Sequence, residues 1–187
     1  MFGWLKAKTI QKENAFALYK ASVAQSRQPI FYSQYGVADT LEGRFEVLCL
    51  HGSLVIEWLY HHKQEDLAQK FFDIMFRDID LNLREAGVGD LAVPKRIKKM
   101  MRGLKGRAFA YREGVLSGTL SDTITRNLAI TDPKIIAAFS DYVDLSYRHI
   151  KSAHLFPVLE TPALLFLSET QMTELCNEQN AKPRSVA

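Results

Sequence analysis

The densest pattern of apolar positions in this chain runs over about 40–61, TLEGRFEVLCLHGSLVIEWLYH. At about 100° per residue, Leu41, Phe45, Leu48, Gly52, Val55, Ile56 and Leu59 fall on one face. Val47, Leu50, Leu54 and Trp58 form a second apolar face, leaving one polar stripe of Glu42, Glu46, Ser53 and Glu57. A helix apolar nearly all round is buried on most sides. The segment is therefore expected to be the central helix of an all-helical domain. Asp39 followed by Glu42 has the spacing of an N-terminal capping arrangement. Gly43 and Gly52 each cost about 1 kcal/mol in a helix interior relative to Ala, and their expected use is close approach of a neighbouring helix.

Around this helix the pattern predicts a first helix over about 10–24, ending before Ser26-Arg27-Gln28-Pro29. Residues 30–36, IFYSQYG, have no helical period and read as an extended aromatic loop that either packs on the core or waits for a partner. A helix over about 65–86 carries an apolar arc of Leu67, Phe71, Ile74, Met75, Ile79 and Leu83, with Gly87 as a left-handed cap. Asp78 interrupts that arc, and Asn82 follows one turn later. A buried carboxylate needs a partner, and Arg44 and His51 are the attractive ones. The set reads either as a buried ion pair fixing helix register or as a polar patch at a binding groove. Val93-Pro94 opens a further helix. Its apolar face holds Ile97, Met100, Met101, Leu104, Ala108, Tyr111 and Val115, with Lys95, Lys98, Lys99, Arg102 and Lys105 opposite. A short helix over about 121–130, another from Asp132-Pro133 to about 150, and an irregular apolar tail with a last helix near 168–179 complete the chain.

The 187 residues and 47% hydrophobic content suit one compact domain, expected to hold about six helices as bundles of this size do. Residues 1–9 are expected to be a flexible end and 151–187 a wrapping tail. The net charge of +3 is too small to imply nucleic-acid binding by itself, and DNA is not an expected partner. The charge is concentrated, however. The five-residue basic face is either solvated or attracts an anionic surface: ribosomal RNA, acidic lipid or an acidic protein. Cys49 lies on an apolar face and reads as a buried free thiol, which suits a reducing compartment. No run approaches the length of a membrane span, and the N-terminus lacks a secretory pattern. Phe2, Trp4 and Leu5 beside Lys6 and Lys8 are either a frayed end or a membrane contact.

Catalytic signatures are missing: no phosphate loop, dinucleotide fingerprint or nucleophile elbow appears. Glu57 and His61 at i,i+4, with His62, have a ligand-like spacing but no third and fourth ligand. No metal, no cofactor and no catalytic residue is therefore assigned, and the chain is not expected to be an enzyme.

Three runs carry a family likeness. They are FYSQYGVADTLEGRFEVLCLH, FRDIDLNLREAGVGDLAVPKRIKKM and GRAFAY. Together they resemble the ubiquinol–cytochrome c chaperone family from about residue 31 to 111, more weakly to 150. Leu104-Lys105 stands where that pattern has an aromatic pair. The resemblance implies a non-enzymatic assembly factor that binds newly made cytochrome b and supports assembly of the ubiquinol–cytochrome c oxidoreductase complex. It implies a cytoplasmic location peripheral to the inner membrane, or the matrix side if organellar. It also implies a ribosome or an anionic membrane surface as further contacts, with a small partner protein in organellar members. The candidate client groove combines Phe31, Tyr32, Tyr35, Arg44, His51, Asp78, Asn82, Gly87, Gly89 and Asp90. The competing reading is an RNA- or ribosome-binding module without client specificity.

Overall fold

The computed structural model describes residues 2–181, with side chains described for 9–155, 158–179 and 181. The α-helices are α1 (Phe2–Ser26), α2 (Ile30–Ser33), α3 (Leu41–His61), α4 (Glu65–Glu85), α5 (Val93–Ser117), α6 (Leu120–Leu128), α7 (Pro133–Ser152), α8 (Leu155–Glu160) and α9 (Glu169–Ala181), with a 3-10 turn at Pro162–Leu165 before α9. There is no strand among the described residues. The fold is all-α, and α3 is its axis. The helices outnumber those expected because the segment after Pro29 and the tail each form short ones. The helix α1 starts well before residue 10. The candidate membrane contact at Phe2, Trp4, Leu5, Lys6 and Lys8 lies outside the residues whose side chains are described.

The buried residues of α3 divide between two cores, and the second apolar face is split between them. Cys49, Leu54, Val55, Trp58 and Leu59 join a cluster built from α1, α4, α5 and the end of α7. Val47 and Leu50 join a second cluster with α2, α6, α7 and α9. Beyond exposed Glu42, the polar stripe is engaged as well. Glu46 receives a paired bond from the Arg107 guanidinium of α5, and that bond holds the Arg107 pKa above its ordinary value. Ser53 donates to the Leu50 carbonyl, and Glu57 accepts from the Tyr147 hydroxyl of α7 at 2.5 Å. Enclosure is incomplete at both ends: Leu41 is 50% exposed and Tyr60 56%, and Phe45 and Leu48 in the first turns are half-buried.

The start of α3 differs from the expected cap. Thr40, not Asp39, accepts from the Gly43 amide, because Asp39 is drawn off to Arg44 at 2.6 Å. The close approach at Gly43 comes from the preceding loop: a β-carbon there would strike the Ala38 carbonyl oxygen. Gly52 does meet a neighbouring helix, with Met75 of α4 3.2 Å from where a β-carbon would sit. At the far end of α4, Gly87 adopts φ +80°. The Gly87 amide bonds to Arg84 O and the Val88 amide to Leu83 O, the Schellman pairing that a left-handed residue permits.

Of its two expected roles, the aromatic segment takes the packing one, as a helical turn in place of an extended loop. Ile30–Ser33 is a helical turn, with Tyr32 N and Ser33 N bonded to Pro29 O. It carries Phe31 and Tyr35 into the second core, where both are fully buried. Phe31 packs its ring on Tyr35, His51, Phe139 and Tyr142. The Tyr35 hydroxyl donates to Met172 O of α9. Large rings of this kind bury too much apolar area to be left in water while α7 and α9 offer a core. His51 is also fully buried and does not approach the groove. Its Nδ1 lies 2.8 Å from Val47 O, a pure acceptor, so Nδ1 carries the proton. Its Nε2 accepts from the Tyr142 hydroxyl at 2.6 Å. Burial without an anionic partner drives the His51 pKa down to about 4.

Candidate client groove

Where α3 emerges from its enclosure, α1, α4 and α5 leave a depression floored by Leu41, Phe45, Leu48, Ile79, Leu83 and Met100. These apolar residues recur at helical spacing on α3 and α4, so their side chains line up along one seam. The α1 wall supplies Tyr19 and Val23, one turn apart, and Arg27 follows just past the helix end. Tyr19 donates to Asp78 Oδ2 at 2.6 Å, and Asn82 Nδ2 donates to the same oxygen at 2.9 Å. Asp78 therefore finds its partners in a tyrosine and its own helix neighbour, not in Arg44 or His51. Burial, then the bond to the Asp78 carboxylate, raises the Tyr19 pKa well above its ordinary value, so the hydroxyl stays a donor.

The depression continues in two directions. Arg27 and Arg44 also line a shallow extension with Pro29, Tyr32, Ser33 and Asp39. There the Arg44 bond holds the Asp39 carboxyl below its usual range. Leu41, Phe45, Leu83 and Met100 also line a cavity of about 350 Å³ that reaches Arg96, Lys99, Gly103 and Arg107 on α5. The whole is an apolar trough with Arg27 and Arg44 at one end and a mixed-charge cluster at the other, where Glu42 and Glu46 face Arg96 and Arg107. That volume lies near the lower limit of small-molecule sites. It accommodates a few side chains of an extended or helical peptide segment.

Of the candidate residues, Tyr32, Arg44, Asp78 and Asn82 come together here. Phe31, Tyr35 and His51 belong to the second core. Gly87, Gly89 and Asp90 lie on the exposed turn after α4, where Asp90 binds Arg84 at 2.5 Å, and they line none of these depressions. The sequence reading missed Tyr19, Val23 and Arg27. Their spacing of four was legible, but nothing along the chain says which face of α1 meets α4. Lys95, Lys98, Lys99, Arg102 and Lys105 are all exposed, as a solvated or docking face requires. Cys49 is buried, and burial pushes its thiol pKa far up, which leaves it unreactive. Glu57 is engaged by Tyr147 and does not join His61 and His62. Among the described residues no group of three or more His, Cys, Asp or Glu side chains is placed to hold a metal ion. Among them, no helix is long and apolar enough to cross a membrane.

The comparisons with known proteins agree with one another. No curated protein matches the chain. The crystal structure described as the Cbp3 homolog from Brucella abortus superposes with a TM-score of 0.75 at 29% identity, covering 91% of this chain and 99% of that one. The sequence model described as Ubiquinol-cytochrome C chaperone matches residues 33–159, more than half of the chain. That span takes in α3, α4, α5 and the seam between them, and this chain belongs to the ubiquinol–cytochrome c chaperone family.

Proposed function

We propose that this chain is a non-enzymatic assembly factor that holds newly made cytochrome b during assembly of the ubiquinol–cytochrome c oxidoreductase complex. Family membership supports the chaperone role. The observation that carries the client reading is the bare start of α3: Leu41 stands half exposed beside half-buried Phe45 and Leu48, on a helix whose middle turns are enclosed. An apolar seam with polar and charged ends suits a hydrophobic segment of a membrane protein flanked by polar or charged groups. Binding and release need no turnover chemistry. The site is peripheral to a membrane in this reading, since the client is inserted there.

The test is copurification of newly synthesised cytochrome b with the full chain and with Leu41→Asp. Leu41 is half exposed, so the added charge spares the cores. Capture is expected to fall at least about tenfold, equivalent to some 1.4 kcal/mol, at unchanged thermal stability. Undiminished capture by this variant overturns the groove. Enrichment of RNA in place of cytochrome b favours the competing ribosome-binding reading.

A further inference from the structure

The outer side of α5 concentrates the positive charge of the chain. The helix carries eight basic side chains and a single acidic one, Glu113, so the rest of this chain, whose net charge is only +3, is net acidic. Arg107 is spent on Glu46, and Arg96 lies 3.8 Å from Glu42. Among the described residues, Lys95, Lys98, Lys99, Arg102 and Lys105 form no ion pair within the molecule. Asp90, just ahead of the helix, is already bound by Arg84. At the helical period, Lys98, Arg102, Lys105, Phe109 and Leu116 fall within one outward arc of about 60°.

Two features of that arc belong together. Its centre is cationic and its ends are apolar. Leu91, in the turn that leads into α5, is 99% exposed, Phe109 66% and Leu116 61%. Three large apolar side chains left in water around an unpaired cationic stripe imply a partner that takes both. A phosphate backbone takes the cations but gives two leucines nowhere to go. The interface of an anionic bilayer takes both: lysine and arginine reach the headgroups while leucine and phenylalanine sink toward the acyl chains. The helix is some 37 Å long by its rise per residue, so lying flat it presents the whole stripe at once.

We infer that the outward arc of α5, from Lys98 to Leu116, with exposed Leu91 in the turn ahead of the helix, is a docking surface for a bilayer leaflet rich in anionic phospholipid. It lies apart from the client groove and stands whether or not that groove binds cytochrome b. Docking along α5 holds the chain at the surface without any spanning segment.

The experiment is flotation of the full chain with phosphatidylglycerol/phosphatidylcholine vesicles and with phosphatidylcholine vesicles alone. Association is expected only with the former, and is expected to weaken as salt rises. Lys98→Glu with Arg102→Glu should lower it by at least about twentyfold, at roughly fivefold per charge lost near the surface. Leu91→Ser, Phe109→Ser and Leu116→Ser together should lower it several-fold with the cations intact. All these positions are exposed, and melting curves of the variants check the fold. Equal flotation with both vesicle types, or none with either, overturns the proposal. So does tight binding of a single-stranded RNA homopolymer that ignores the three serine substitutions while the vesicles are ignored, which assigns the face to RNA.

Discussion

His51 shows how much a single polar group can depend on its setting. It sits fully buried between α2, α3 and α7, kept neutral by burial, with its donor on Val47 and its acceptor on Tyr142. Its folded pKa of about 4 lies below the ordinary 6.5. The unfolded chain therefore binds the extra proton first as pH falls. The stability tied to the neutral ring is fully present above the ordinary value and is lost as pH drops toward the folded one. Urea unfolding at pH 7 and pH 4.5 should show the native chain losing about 2–3 kcal/mol more than His51→Gln. Parallel losses would mean that the ring is not held neutral. The same ring was a plausible groove residue by position in the chain, because Arg44 and His51 lie seven apart on one helix. In the fold, one is at the surface and the other is in a core.

At the scale of elements, the entry into α3 decides the groove. The loop from Gly36 to Thr40 presses Ala38 against Gly43, Thr40 caps the helix, and Asp39 turns away to hold Arg44. Gly43→Ala should therefore destabilise by about 2 kcal/mol or more, even though alanine gains about 1 kcal/mol in helix propensity, because backbone must move. Gly52→Ala presses closely on the flexible end of Met75 alone, with the Phe71 ring at ordinary contact distance, and its net change should stay within about 1 kcal/mol. Thermal unfolding of the two variants measures the contrast. Equal effects would show that the loop does not press on the helix. The helix periods of α3, α4, α5 and α7 were all legible, since each must bury one stripe and its caps are local. The aromatic turn after Pro29 was not. One helical turn is shorter than the period needed to see it, and a proline serves equally well before a loop or a helix.

At the scale of the molecule, the tail is structural. The family match ends at residue 159, yet Leu165, Phe166, Leu167, Met172 and Cys176 beyond it are buried in the two cores. Gln25 of α1 donates to Leu167 O, and Tyr35 to Met172 O, so α9 closes the second core. Removing residues 161–187 takes these five buried side chains out of the two cores and bares the surfaces they cover, a loss on the order of 10 kcal/mol by area, as large as a whole domain's stability. The truncated chain is expected to lose its cooperative thermal transition. A sharp transition near that of the full chain would show the tail to be an accessory.

The helical period of its apolar residues, its glycine and proline punctuation and its cationic stretch after Pro94 marked this chain as all-helical, with a buried axis and an exposed basic face. Those properties are local: a helix needs only its own amides, and a solvated lysine needs only water. Which polar residues meet, and which aromatic rings vanish from the surface, depended on contacts between segments far apart in sequence. Tyr19 reaches Asp78 across 59 residues and His51 reaches Tyr142 across 91. No periodicity encodes such pairings. They follow from how the helices pack once their apolar stripes have all been buried together, and that packing alone left the first turns of α3 open.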